Sequence, residues 1–505
     1  MSTTFDETTE ETLAAIAKAQ TTGLLTATGA YSYDLTGIVR LIPVVTPFRD
    51  RVPRKASTDG NPNAIWRAFM NVTNLQPSPF AGFDYAGGET IDSEQDFQAP
   101  YAPLSLAGLV TQDAYDLAKG LYDPYAEKTM TTLNQYLIGE DRALVGAQSY
   151  NLAQPGAITA TPSTTGGTMT ASTTQKVVVA ARTAMGYFYP PNPSAPTVVG
   201  NSRAQISAAL TTTGTTASIA LSLAAVKGAV AYDWFYTPNG SAPYFYYTTT
   251  TVATLLMTST IVANNGLPSN TVCPDLFGQV PGTPNLAADN GSGVATGQGQ
   301  QFNGLISSLT GDYNTAGQFV TPGTATANGA IFIDGLGAGL TLTGGSITQA
   351  ETIFAGLWNA VKCSPTALMV NGAQAQELAN LVLNQPSAVT YLQTDETGRV
   401  NVTAGGRVGQ VVNTYAGGVT VPIEVHTSVP PGTIIARSDR VPFPQANISS
   451  VLECRTLRDT TQFDYATGRV ANTVGGGPRK EFEIRSVEAF INRAPVAMAI
   501  LSNVA

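Results

Sequence analysis

The chain has 505 residues, 43% hydrophobic and only 12% charged, which is enough apolar material for a sizeable core and several domains. Its net charge of −9 argues against a dedicated nucleic-acid grip, which relies on clustered Lys and Arg, but leaves room for a container wall that faces nucleic acid without holding it. No apolar run reaches the ~18 residues of a membrane-span candidate, and the acidic start Met1-Ser-Thr-Thr-Phe-Asp-Glu is not followed by a signal-type apolar region, so the chain is expected to stay in the cytosol without membrane contact.

Up to about Arg40 there is one helical signal, Glu10 to Gln20, within loose Thr/Gly sequence that reads as an extended N-terminal arm needing a tether. A basic cluster follows, with Arg49, Arg51, Arg54 and Lys55. Alternating residues over Asn63 to Val72, a Pro/Gly break from Gln76 to Phe83 and a return through Ser93 to Leu106 predict a long hairpin. Two strands alone are marginal in water, so the hairpin needs a surface from its own domain or from another copy. Glu89, Asp92, Glu94 and Asp96 lie beyond its tip. The plain reading is solvated charge, because exposed ion pairs contribute only ~0–1 kcal/mol. The functional reading is that these acids and the basic cluster fix the register between neighbouring subunits. Trp66 and Phe69, three apart on one strand, read as packing residues, and Trp66 is also carried as an inter-subunit candidate.

After a short helix at Thr111 to Gly120 comes the strongest helical signal. Asp123 is placed as N-cap, Pro124 suits the first position, and Gly146 marks the end. Ala126, Met130, Leu133, Leu137 and Leu144 make one apolar stripe on a rod of about 23 residues, ~35 Å long.

From Ala153 to Asn265 charged residues nearly vanish. Gln175 to Arg182, Ser218 to Leu223, Ala229 to Tyr236 and Tyr244 to Thr249 are strand-like, which implies a β-sandwich of about a hundred residues. Gly266 to Thr326 is loop-rich around an island at Phe302 to Leu309. Strands at Ala330 to Asp334 and Thr366 to Asn371 alternate with helices at Ala350 to Val361 and Ala373 to Leu383, the pattern of a mixed α+β domain, and Ser346 with Gln349 is expected to form a capping box. Val419 to His426, Gly432 to Arg437 and a long broken strand from Glu481 to Leu501 complete the series.

Catalytic motifs are weak throughout. His426 is the sole histidine, without a His-Glu-x-x-His or Gly-x-Ser-x-Gly pattern, and reads as an ordinary strand residue. In Asp334-Gly-Leu-Gly-Ala-Gly339 the third Gly comes one residue too early for a dinucleotide loop and no helix opens there, so a turn is expected. Asp289-Asn-Gly-Ser-Gly lacks the later Glu of a calcium loop. Cys273, Cys363 and Cys454 are odd in number and far apart, and read as reduced thiols. No enzyme, cofactor or metal site is expected.

The order of parts resembles the major capsid protein of tailed bacteriophages, the Hong Kong 97-type fold. The landmarks are Thr46-Pro-Phe-Arg-Asp, Asn63-Ala-Ile-Trp, Gly139-Glu-Asp-Arg-Ala-Leu-Val-Gly146, Phe302-Asn-Gly-Leu, Ala367-Leu-Met-Val-Asn, Val421-Pro-Ile and Arg493-Ala-Pro. The resemblance implies an α+β chain with an N-arm (1–46), an extended loop (47–104), a peripheral domain with the spine helix (105–152), an inserted all-β immunoglobulin-like sandwich (153–265), an axial domain (266–437) and peripheral strands with the C-terminus (438–505). It further implies hexamers and pentamers of an icosahedral virion assembled in the host cytoplasm, with scaffolding, portal and possible cement proteins as partners, enclosing double-stranded DNA without specific binding. Two features depart from the pattern: there is no long charged scaffolding region at the start, and no Lys occurs from Ala56 to Ala118, so an extended-loop isopeptide cross-link is not carried over. The competing class is an exported bacterial surface or adhesive β-protein, against which the acidic N-terminus speaks.

Overall fold

The computed structural model describes residues 46–57, 60–73, 80–84, 86–88, 91–118, 123–189, 202, 205–238, 245–260, 301–343, 346–383, 393–394, 400–401, 409–439, 450–465 and 479–505. The arm helix expected at Glu10 to Gln20, Glu89, Cys273 and the Asp289 turn lie outside these residues. Two compact units emerge: Pro103–Glu140 with Leu457–Val487, and Pro47–Ala102, Asp141–Thr456 with Glu488–Ala505.

The chain opens with β1 (Arg54–Ala56), β2 (Asn63–Thr73), β3 (Ile91–Pro100) and β4 (Ala102–Thr111), then α1 (Gln112–Leu117) and α2 (Pro124–Gly146). β2 and β3 form the expected antiparallel hairpin, paired from Asn63↔Pro100 to Thr73↔Ile91 with one register shift between Phe69 and Asn71. The return strand is not continuous. At Pro100-Tyr101 the chain leaves the hairpin and β4 joins a different sheet, because proline has no N–H to carry a ladder on.

Helix α2 begins and ends where the caps predict. Asp123 Oδ1 accepts from the backbone N–H of Tyr125 at 2.9 Å and of Ala126 at 3.2 Å, satisfying donors that the first turn leaves open. Its buried face keeps Leu133, Leu137 and Leu144 of the expected stripe but not Ala126 or Met130. Met130 is 55% exposed and Ala126 is also exposed, whereas Thr132 and Tyr136 are buried. Tyr136 packs with Phe482 and Ile484, flanked by half-buried Leu133 and Leu137, and its hydroxyl donates to Ser486 at 2.6 Å. A tyrosine buries its ring and satisfies its hydroxyl at once, so counting only apolar positions leaves Tyr136 out of the face it belongs to.

The middle segment supplies β5 (Thr159–Ser163), β6 (Ser172–Arg182), α3 (Ala184–Phe188), β7 (Gln205–Ile206), β8 (Leu210–Thr212), β9 (Ser218–Ser222), β10 (Ala231–Thr237), β11 (Phe245–Thr250) and β12 (Thr254–Met257). One sheet is ordered β11-β10-β6-β7 with β8 also on β6, and the other β12-β9-β5. Val177, Val179, Tyr232, Trp234 and Tyr236 from the first sheet share a core with Ile219, Leu221 and Met257 from the second. The buried hydroxyls have partners: Tyr236 donates to Gln175 at 2.9 Å, and Tyr232 accepts from the Val226 N–H at 2.9 Å.

The last part runs through α4 (Leu305–Thr310), β13 (Asp312–Tyr313), β14 (Phe319–Val320), β15 (Thr326–Ala327), β16 (Ile331–Asp334), β17 (Leu342–Thr343), β18 (Ser346–Ile347), α5 (Thr348–Val361), β19 (Ala367–Val370), α6 (Gly372–Leu383), β20 (Gln393–Thr394), β21 (Val400–Asn401), β22 (Gln410–Asn413), β23 (Val419–Val425), β24 (Ile434–Arg437), β25 (Leu452–Tyr465), β26 (Arg479–Asn492) and β27 (Ala499–Ser502). A six-stranded sheet is ordered β16-β27-β24-β19-β23-β22, and a four-stranded one β1-β25-β26-β4. Ile353, Phe354 and Leu357 of α5 and Leu378 of α6 pack with Leu368, Val421, Ile434 and Leu501 of the larger sheet. The expected capping box does not form. Ser346 is drawn into β18, antiparallel to β17, so α5 starts at Thr348 and Gln349 Oε1 accepts instead from Thr341 N–H at 3.0 Å. The Asp334-Gly-Leu-Gly segment is a turn, with Leu336 and Gly337 at φ +57° and +69°. Cys363 and Cys454 are free and buried.

Candidate assembly interface

The root of the hairpin is built around a buried carboxylate. Asp141, in the last turns of α2, is 0% exposed. Its Oδ1 accepts from the backbone N–H of Phe48 at 3.0 Å and of Arg49 at 2.8 Å, and its other oxygen accepts the Ser428 hydroxyl. A carboxylate stripped of water is stable only with donors of this kind around it. The Phe48 ring lies 6.0 Å from that of Phe490, so the turn preceding β1 is held by packing as well.

The basic cluster is ion-paired within its own chain. Arg51 Nη1 reaches Glu424 at 2.5 Å, Arg54 Nη1 reaches Glu488 at 3.2 Å and Lys55 Nζ reaches Glu453 at 2.9 Å, while Arg49 lies 3.7 Å from Asp50. The Glu488 side chain is 0% exposed, and burial pushes its carboxyl up despite the opposing pull of Arg54. Burial also acts on Glu453, but Lys55, Arg493 and Arg455 around it hold its carboxyl below the ordinary value. The same burial raises the Cys454 thiol well above its usual range, with the Glu488 charge adding to it. These pairs flank a three-residue parallel ladder, Arg54↔Cys454 to Ala56↔Thr456, which fastens β1 to β25.

His426 stands just past β23, 2% exposed, with Nε2 3.4 Å from the Glu424 carboxylate that Arg51 and Arg437 also share. No group of three or more metal-type ligands occurs among the described residues.

The hairpin itself is two-faced. On one face Ala64, Trp66, Ala68 and Met70 are buried, with Phe97 and Ala99 opposite. Trp66, 4% exposed, stacks on Phe97 and Phe319 at 5.9 and 6.4 Å, and its indole N–H donates to the Asn492 carbonyl at 2.9 Å. Its own chain therefore supplies the surface that this part of the hairpin needs, and Trp66 has almost no area left for a neighbour. On the other face Arg67 binds Asp96 through two hydrogen bonds, at 2.7 and 3.2 Å, with Glu94 at 3.6 Å. Asp92 lies on β3 in register with Val72.

The hairpin's docking is close. The carbonyl of Gly317, a residue at φ +76°, accepts from the Gln98 N–H at 2.9 Å, and a Cβ there would meet the Asp96 carbonyl at 2.0 Å. Beyond the docked part, Phe80 and Phe83 are 88% and 111% exposed.

Sequence reasoning missed Arg67, Asp141, Glu424, Glu453 and Glu488. Arg67 was open to discovery from hairpin register alone, since it stands opposite Asp96. The four acids come from distant segments and carry no local signal.

No family model matches the chain, and no curated protein matches it. Among solved structures it is similar to the capsid of the native GTA particle, at 8% identity over 94% of each chain with a TM-score of 0.40. It is also similar to a chain of Mycobacterium phage Adephagia, at 8% identity over 94% of each chain with a TM-score of 0.36. A third is the capsid of the Cyanophage P-SCSP1u, at 10% identity over 94% of this chain and 92% of that one, with a TM-score of 0.35.

Proposed function

We propose that the chain is the major capsid protein of a tailed bacteriophage, a non-enzymatic subunit that assembles into hexamers and pentamers of an icosahedral head around double-stranded DNA. The observation that carries this reading is the hairpin: a root held by the buried Asp141 carboxylate and by Arg54 and Lys55 on the buried Glu488 and Glu453, with Phe80 and Phe83 88% and 111% exposed beyond the docked strands. Large aromatic residues with this much exposed area suit burial against another copy. The ordered series of sequence landmarks supports the same reading, with 47–104 as extended loop, 105–152 and 438–505 as peripheral domain, 266–437 as axial domain and 153–265 as an immunoglobulin-like insertion. Scaffolding, portal and cement proteins are the partners it would require, in a virion assembled in the bacterial cytoplasm. Of the charged residues that the sequence offers for contact with a neighbour, Arg51, Arg54, Lys55, Glu94 and Asp96 already hold partners within the chain, so a register they set between copies would be in addition to those pairs.

Electron microscopy of the purified protein tests the proposal. Closed shells or ring-shaped capsomers are expected; a stable, monodisperse monomer at high concentration overturns it. Phe80→Asp combined with Phe83→Asp should abolish particles while the far-ultraviolet circular dichroism of the monomer stays unchanged.

A further inference from the structure

The two-sheet sandwich of β5 to β12 meets the six-stranded sheet at a pair of polar side chains. Asn503 follows β27 directly, is 4% exposed and takes φ +62°, a left-handed conformation that Asn tolerates better than most residues. Its Nδ2 donates to Asp334 Oδ1 at 2.7 Å, and its Oδ1 accepts from the Ala253 N–H at 2.7 Å. Asp334, at the end of β16 and in register with Ser502, uses the same Oδ1 to accept from Leu336 N–H at 2.8 Å and its Oδ2 to accept from Ala225 N–H at 3.3 Å.

Ala225 and Ala253 belong to two different sandwich loops, β9 to β10 and β11 to β12. The side chains that reach them are rigidly mounted. Gly335 N–H bonds to the Ser502 carbonyl at 2.8 Å, Gly337 N–H to that of Asn503 at 2.9 Å and Val504 N–H to that of Gly432 at 3.2 Å. A buried amide whose oxygen faces a donor and whose nitrogen faces a carboxylate has only one satisfactory orientation.

We propose that Asn503 and Asp334 form a clasp that sets the angle of the sandwich on the six-stranded sheet. The sandwich is then a fixed extension of that sheet and not a module on a tether. Whatever is attached to its far end moves with the sheet, and this holds whether or not the chain builds a shell.

Asn503→Gly is the discriminating variant, because glycine keeps the positive φ at no steric cost and only the amide is lost. Hydrogen exchange at the Ala253 and Ala225 amides should accelerate about tenfold or more, while Val179 and Trp234 in the sandwich core keep their protection. Spin labels at Thr215→Cys and Gln410→Cys, in a Cys273→Ser background, should give a broader distance distribution in the variant. Asp334→Asn, which turns the acceptor facing Ala225 into a donor, should give the same broadening. An unchanged width in both variants overturns the proposal even where the two amides exchange faster. Loss of protection at Val179 and Trp234 also overturns it, since the residues would then stabilise the sandwich itself.

Discussion

Arg67 and Asp96 stand in register across the hairpin, with the guanidinium Nε 2.7 Å from one carboxylate oxygen and Nη2 3.2 Å from the other. The Arg67 hydrogen bonds hold the Asp96 carboxyl below its ordinary value. A depressed folded value gives a contribution that is present above the unfolded value of about 3.9 and is lost as pH falls through the folded one. Both groups are exposed, so titration and not stability is the measurement. In Arg67→Ala, the Asp96 carboxyl signal in a nuclear magnetic resonance titration should move up toward the ordinary midpoint; the same midpoint in both proteins contradicts the pairing.

Arg54→Glu should unfold the root of the hairpin before it affects any contact between copies. It sets a second carboxylate against Glu488, whose side chain is 0% exposed. Breaking a buried pair in this way costs about 3–5 kcal/mol. The urea midpoint of the isolated protein should fall accordingly, and an unaltered midpoint would mean that Glu488 does not depend on Arg54. Reversing Arg49, Arg51 and Arg54 together is therefore a test of folding first and of assembly only second.

Gly317→Ala should dislodge the hairpin. The new Cβ would sit 2.0 Å from the Asp96 carbonyl oxygen at a backbone φ of +76°. Overlap with backbone cannot be relieved by a rotamer change, and a cost of about 2–4 kcal/mol is expected. Thermal unfolding of the variant reads this as a lower midpoint, and a shift within experimental error excludes the close approach.

Asp141→Ala strands two backbone donors, Phe48 N–H and Arg49 N–H, and the Ser428 hydroxyl. Leaving buried donors unsatisfied costs about 1–3 kcal/mol for each group that water cannot reach. Faster hydrogen exchange confined to Phe48 and Arg49, with a lower unfolding midpoint, is the expected outcome. Unchanged exchange at both amides would remove Asp141 from its role.

Local chemistry made some elements legible. Asp123-Pro124 and Gly146 bracket α2 because caps act within one turn, and Ala367 to Val370 is a strand because it is apolar on both faces. What failed depended on partners far along the chain. Ser346 makes a good cap in isolation, yet β17 claims it first. The α2 face was legible in Leu133, Leu137 and Leu144 but not in Tyr136, which meets Ser486, and the Arg51, Arg54 and Lys55 partners come from Glu424, Glu488 and Glu453, hundreds of positions away. Charge in the sequence marked one half of the site, and only the fold supplies the other half.

The placement of β27 has a bearing on when this protein can fold. It lies between β16 and β24, with Ile331 beside Ala499 and Ile434 beside Leu501. Until those late residues leave the ribosome, β16 and β24 are two open edges with an apolar face beneath them, a template for wrong pairing. The sandwich and the hairpin strands are complete in sequence long before that. The six-stranded sheet therefore cannot close before β27 is made, and until then β24 is an edge that most needs protection.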